Sequence, residues 1–323
     1  MQKSVVSQNI LDEISKEVVS IFDAYVRIPS ASSNASQSVP STPEQWDMLN
    51  RVAADLVSRG ASVEIDSKNA FVYGTLAGTK SGVPFGIGAH VDSSPEQSGT
   101  GVEPLYHQNY DGGEIRFPKD PGLVLSPKYS PELKHFVGDT IITASGDTLL
   151  SADDKAGVAA IVAAVSIWNR HPELPHPFIT VFITRDEEIG RGVDGIDLKR
   201  LPRFCYTIDG GFPGELEHEC FDAIGVTVTF FGKGFHPGYA YGKMVNASLA
   251  AVYFGSLLNR DETPERTRDR KGFVHLSDVS GNNEKAKLRI ILRDFEHENN
   301  LKSLSNLGRI KESVECEFPG LQI

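Results

Sequence analysis

The chain has 323 residues, 40% of them hydrophobic and 23% charged, enough to bury a sizeable core in about two domains of an ordinary globular α/β protein. Its formal net charge of −11 argues against nucleic acid or an anionic membrane as the main partner. No apolar run approaches a membrane span, and the opening stretch Met1–Asn9 is too polar for a secretory leader. Three scattered cysteines, Cys205, Cys220 and Cys316, form no disulfide framework and no C-x-x-C pair, so a reducing, cytoplasmic compartment is expected.

Ile10, Leu11, Ile14, Val18, Ile21 and Phe22 recur at helical spacing and predict an opening amphipathic helix. A Ser/Pro-rich loop follows from Ser30 to Pro43. Trp46, Leu49, Val52, Ala53, Leu56 and Val57 predict a second helix closed by Gly60. Strand material runs from Ser62 to Leu76 and again from Pro84 to Val91. The segment from Asp92 to Asp139 is long, polar and rich in Gly and Pro, which is unusual unless it serves a site. Thr140–Ala144 and Thr148–Ala152 bracket Ser145-Gly146-Asp147 as a predicted hairpin. Ala156–Trp168 is small, apolar and helix-compatible, Phe178–Thr184 is a β-branched run, and Phe204–Ile208 is one more short strand.

From about Phe221 the pattern changes. Ala223–Gly232 alternates as a half-solvated strand, Val245–Leu258 is helical, Lys287–Phe295 alternates again and Glu298–Ser313 predicts a last helix. This β-α-β-α order implies a second, α+β domain, with boundaries at residues 1–220 and 221–323.

Four acidic clusters stand at element ends: His90-Val-Asp92, Asp153-Asp154-Lys155, Asp186-Glu187-Glu188, and Asp209 before Gly210-Gly211. Sites in open α/β sheets form beyond the carboxyl ends of strands, so the four are expected to converge. Seven carboxylates and one imidazole in one pocket carry more negative charge than desolvated groups tolerate unpaired, and divalent metal supplies the compensating charge most compactly. Each cluster has an ordinary alternative: a buried His–Asp pair, an acidic helix cap, a solvated charge pair, a turn aspartate. Four in series make those alternatives poor. In Glu187-Glu188, alternation on extended chain lets one carboxylate bind metal while the other takes a proton from water. Spacing alone assigns His236 and Arg293 to no site.

Read in order, GAHVDSSP, TLLSADDKAG, ITRDEEIGRG, CYTIDGG, GELEHECFDA, FHPGYAYGKMVNA and LRIILRDF resemble the peptidase T branch of the M20 metallopeptidases, the tripeptide aminopeptidases, from about Val39 to Phe295. The resemblance implies a zinc-exopeptidase-like mixed sheet flanked by helices, with a second α+β domain of lid or dimerisation type. It implies two zinc ions bridged by Asp153, whose bond to Asp154 would be cis. One ion would take His90 and Asp209, and the other Glu188 and a further histidine. Asp92 would sit behind His90, Glu187 would be the general base, and His236 and Arg293 would engage a small peptide substrate or its developing oxyanion. A homodimer is compatible with it.

The sequence departs from that pattern in three places. The family's last metal-binding histidine belongs to an H-G-x-H-E-F-like motif in a segment that completes the sheet, whereas past Phe295 this sequence has only His297. Ser151 stands for a usual glycine, and Arg185 for a usual proline, where its cation could compete for a carboxylate or depress the pKa of the base. The expectation is therefore a tripeptide aminopeptidase cut short, with one site intact (His90, Asp153, Asp209) and the other short of a ligand. The alternatives are an impaired homologue that binds metal or peptide without efficient turnover, and an M20 deacylase or dipeptidase.

Overall fold

The computed structural model describes residues 6–323, so residues 1–5 of the polar opening stretch lie outside the described residues. The chain separates into two compact units, one ending at Pro213 and the other running from Gly214 to Ile323.

The first unit opens with α1 (Gln8–Val26) and α2 (Glu44–Ser58). Ile10, Ile21, Phe22, Tyr25 and Val26 form the buried stripe of α1, as their spacing requires. In α2 the acids Glu44 and Asp47 occupy the first turn, where they suit the helix dipole, and Gly60 just beyond its end takes a left-handed φ of +93°. The expected strand material from Ser62 to Leu76 is a hairpin of β1 (Ser62–Asp66) and β2 (Phe71–Leu76). Then come β3 (Phe85–His90), four short strands β4 (Leu105–His107), β5 (Ile115–Arg116), β6 (Val124–Leu125) and β7 (Ile141–Thr143), and helix α3 (Ala152–Arg170). Strands β8 (Ile179–Thr184) and β9 (Phe204–Thr207) follow.

The main sheet has the order β1-β2-β8-β3-β9. Its first two pairings are antiparallel, while β3 runs parallel to both β8 and β9. Alternate residues of these strands, Val72, Ile87, Ala89, Ile179, Val181 and Ile183, join Tyr25, Met48, Leu56 and Val162 of the helices in one buried cluster. The opposite parity gives a smaller cluster, Phe71, Tyr73 and Phe182, with Ile196 and Leu201 against it. Gly88 makes room there, since a Cβ would come within 2.1 Å of the Phe182 ring.

The segment from 92 to 139, long, polar and rich in Gly and Pro, contributes β4 to β6 and a small core of Tyr110, Ile115 and Leu133. The expected hairpin across Ser145-Gly146-Asp147 does not form. Its first arm, β7, pairs with β4 instead, and Leu149 donates to the Ser98 carbonyl at 2.7 Å. The turn is captured from outside: Lys119 N donates to Ser145 O at 3.0 Å, and the Lys119 ammonium pairs with Asp147 at 3.2 Å.

The second unit holds β10 (Asp222–Phe231), α4 (Ala247–Ser256), β11 (Phe273–Gly281), β12 (Lys285–Asp294) and α5 (His297–Glu317). Its antiparallel sheet runs β10-β12-β11, with Phe230, Phe254, Leu288, Ile290, Leu292, Leu307 and Val314 buried together. The order is therefore β-α-β-β-α. Strand β11 escaped the sequence reading because its register shifts between Leu276 and Asp278 and everything from Ser277 to Gly281 is exposed, which erases the alternation. Among the described residues no helix is long and apolar enough to cross a membrane.

Candidate metal centre

Three parallel strands set up the site. β3 ends at His90, β8 ends just before Arg185-Asp186-Glu187-Glu188, and β9 ends two residues before Asp209, so their carboxyl ends gather the three clusters. The fourth arrives from the start of α3. Ser151 takes a left-handed φ of +59°, the Asp153–Asp154 peptide is cis, and both aspartates are non-helical, so the regular helix begins after them.

His90 is the hub. Its Nε2 lies 3.1 Å from Asp153 Oδ1, 3.7 Å from Glu187 Oε2 and 3.8 Å from Asp209 Oδ2. Its Nδ1 is 3.2 Å from the Asp92 carboxylate and 3.1 Å from the Asp92 carbonyl. His90 and Asp92 are buried, whereas the side chains of Asp153, Glu187 and Asp209 are 63%, 55% and 44% exposed, so the carboxylates open toward an approaching ligand. One donor atom each from His90, Asp153 and Asp209 lies within 4.8 Å of the others. Donors on a tetrahedral zinc stand roughly 3.3 Å apart for bonds near 2.0–2.1 Å, and the 3.1 and 3.8 Å separations at His90 bracket that value. An imidazole with two carboxylates is also the donor chemistry that suits such an ion.

Asp92 does two jobs. Besides facing His90, its carboxylate accepts the amides of Glu187 at 2.9 Å and Glu188 at 3.1 Å. Asp154 turns inward: its carboxylate accepts the His90 amide and the Gly157 amide, both at 3.1 Å, and Gly157 has no space for a Cβ against it. Of the Asp153-Asp154 pair, only Asp153 belongs to the trio with His90 and Asp209.

The charges behave as a cluster short of cations would. Burial alone would lower the His90 pKa, but the Asp92 hydrogen bond and the surrounding carboxylates outweigh it and raise the ring to about 10. Burial, with Asp209 and Asp153 adding repulsion, lifts Asp154 to about 8 against the pull of His90. Asp153 is pushed up by burial and by Asp209. Glu187 is pushed up by burial, with His90 opposing, and Glu188 by burial and the Asp153 carboxylate. Glu188 is outside the trio, although it stands near enough to feel Asp153.

Of the two effects considered for Arg185, it does engage a carboxylate, that of Asp186 at 3.3 Å, while the causes that shift Glu187 are burial, His90 and the neighbouring acids. Its guanidinium points into backbone carbonyls and toward Asp186. Asp186 itself, buried with a left-handed φ of +54°, takes no part in the trio. Sequence reasoning missed the role of Ser41 and Gln45, which bind that aspartate. The only hint was an acid placed two residues after a fully buried strand.

His236 and Arg293 belong to the second unit. The His236 Nδ1 accepts from Gly238 N at 3.2 Å, capping the short turn Pro237–Tyr239. The Arg293 guanidinium stacks over Phe221 at 4.4 Å and Phe273 at 5.9 Å, and its Nε is buried without a hydrogen-bond partner.

No family model matches the chain. It is 39% identical over 306 residues to peptidase T of Listeria monocytogenes serotype 4b, an alignment covering 94% of this chain and 75% of the relative. The chain belongs to the peptidase T family. Peptidase T of Geobacillus thermodenitrificans is 42% identical over 286 residues, covering 88% of this chain and 70% of the relative. The fold agrees: the aminopeptidase PepT of Bacillus cereus superimposes with a TM-score of 0.67 at 19% identity, over 95% of this chain and 74% of that one. The YXEP protein of Bacillus subtilis, described as a dinuclear metal-binding peptidase of the M20 family, gives 0.53 at 11% identity, over 96% of this chain and 72% of that one. Peptidase T is the M20 tripeptide aminopeptidase family to which the motifs pointed, so fold and enzyme class stand as expected.

Proposed function

We propose that this peptidase T family member releases the N-terminal residue of tripeptides, with zinc held by His90, Asp153 and Asp209 and with Glu187 as general base. The supporting observation is the convergence of those three donors within 4.8 Å around a buried imidazole. When bound, the metal supplies Lewis acidity: it polarises a carbonyl oxygen and makes water acidic enough to ionise near neutral pH. Glu187, half-open to solvent and with its pKa raised by burial, takes the proton from the attacking water and returns it to the leaving amine. Asp92 holds the Nδ1 side of His90, which keeps Nε2 turned to the ligand position. Within the second unit, His236 and Arg293 are the side chains assigned to the substrate, and that unit serves as a lid- or dimerisation-type domain, with a homodimer as the assembly. Unpaired, exposed cysteines suit a cytoplasmic enzyme.

A second reading has one specific observation behind it. Among the described residues, the trio is the only cluster of at least three such donors, and Glu188 is not part of it. A chain that holds one zinc tightly and turns peptide over slowly is the alternative. Calorimetric titration of the 323-residue chain with zinc should give one tight equivalent lost in His90→Ala; two equally tight equivalents would defeat the alternative, and none would defeat the metal site. A panel of tripeptides, dipeptides and N-acyl amino acids then decides the substrate, and turnover confined to the last two would defeat the aminopeptidase reading.

A further inference from the structure

The loop that carries Glu187 and Glu188 is held by a buried cation outside the acidic cluster. Arg185, with its side chain 3% exposed, donates from Nε to Asn69 O at 3.2 Å, from Nη1 to Arg191 O at 2.8 Å and from Nη2 to Asp194 O at 3.0 Å. Its guanidinium also lies 5.7 Å from the Phe71 ring centroid and 3.3 Å from the Asp186 carboxylate. One side chain thus ties both ends of the loop after β8 to the turn between β1 and β2.

Asp186 fastens the same loop from the opposite side. Its carboxylate accepts Ser41 N at 2.9 Å, Ser41 Oγ and Gln45 Nε2 at 2.7 Å, and its amide donates to Gln45 Oε1 at 3.1 Å. Arg191 adds a bond to Ser36 O at 2.8 Å. Between these anchors the next two amides, Glu187 and Glu188, are placed on the Asp92 carboxylate that faces His90.

We infer that Arg185 is a positioning residue for Glu187 and Glu188, acting through the loop carbonyls and Asp186 rather than through the charge of the site. Three carbonyls and one carboxylate converge on a planar fork of donors, and only arginine presents such a fork. A lysine keeps the charge but cannot span the acceptors. The clause that concerns catalysis rests on the reading of Glu187 as base; the clause that concerns loop order does not.

Two measurements on the 323-residue chain test this. Hydrogen exchange across residues 185–191 should speed up at least about 10-fold in Arg185→Met, and measurably in the milder Arg185→Lys, while protection in α3 is retained. Unchanged exchange in both variants overturns the inference, as does equal loss of protection throughout α3, which would mark a general structural role. If Arg185→Met does not fold, Arg185→Lys alone decides. For turnover of a tripeptide, Arg185→Lys should lower kcat several-fold with KM within about twofold, and should add nothing in a Glu187→Gln background. Additive losses in the double variant overturn the coupling. Full activity of Glu187→Gln itself would sink the assignment of the base instead, leaving the exchange result to judge Arg185.

Discussion

Strands β8 and β9 flank β3, run parallel to it and both end in acids of the site, yet they lie in opposite environments. All six residues of β8 are buried, whereas all four of β9 are exposed on the edge of the sheet. The acids that follow inherit the difference. Glu187 and Glu188 leave a packed strand into a loop fastened by Arg185, Asp186, Ser41 and Gln45. Asp209 leaves an edge strand whose Phe204 and Tyr206 are about half exposed (51% and 50%) and which is paired only to β3. The same backbone geometry aims both carboxylates at His90 and both side chains stay about half exposed, but the Glu187 backbone is fastened, its amide donating to Asp92 at 2.9 Å. On the proposed roles, the base Glu187 would take its order from the fastened loop and the ligand Asp209 from the ion.

The sharpest test of this contrast swaps each acid for its amide. Glu187→Gln should lower kcat by at least about 100-fold while leaving zinc affinity within a few-fold, because it removes proton transfer and no donor of the trio. Asp209→Asn should weaken zinc binding by more than the roughly 10- to 100-fold that outer partners of a ligand contribute. If the two variants show the same profile, the division of labour between the strands is gone.

Stability should follow the same divide. Ile183→Ala in β8 deletes apolar volume from the main core and should cost about 2–5 kcal/mol in urea unfolding of the first unit. Tyr206→Ala in β9 should cost under about 1 kcal/mol, as expected for a half-exposed side chain. Equal costs would mean that β9 is buried in solution. Smaller still is the effect expected at Cys205, also in β9. Burial raises its thiol pKa, so alkylation near pH 8 should be several-fold slower than for the same thiol in the unfolded chain. The raised pKa leaves less thiolate at a given pH, and the gap should close as pH rises past it. A rate equal to that of the unfolded thiol at every pH would contradict the shift.

Helices α1 and α2 could be read from the sequence because a 3.6-residue stripe of large apolar side chains is a strong local signal, α3 because its run of small apolar residues is helix-compatible, and β8 because six consecutive apolar or β-branched residues allow few other fates. The short strands between residues 92 and 139 were hidden, since two- and three-residue strands carry no periodicity. β7 was paired with the wrong neighbour for the same reason: partner choice is a long-range decision, and here Leu105–His107 was the better match. In the site, the acids were visible by type and by their position at strand ends. The direction of Arg185 was not, because a cation next to an acidic run in sequence can face the other way in space.

The sequence by itself determined that this protein has carboxylates and one histidine at strand and helix ends and that its motifs are those of the peptidase T family, because strand ends and residue types are local properties of the chain. Only the tertiary structure decided which aspartate of Asp153-Asp154 joins His90 and Asp209, that Asp92 links His90 to the amides of Glu187 and Glu188, and that Arg185 serves the loop rather than the pocket. Those outcomes depend on which donors and acceptors meet across 60 to 150 residues of chain, as with His90 and Asp154 or Ser41 and Asp186, and no local pattern encodes that meeting.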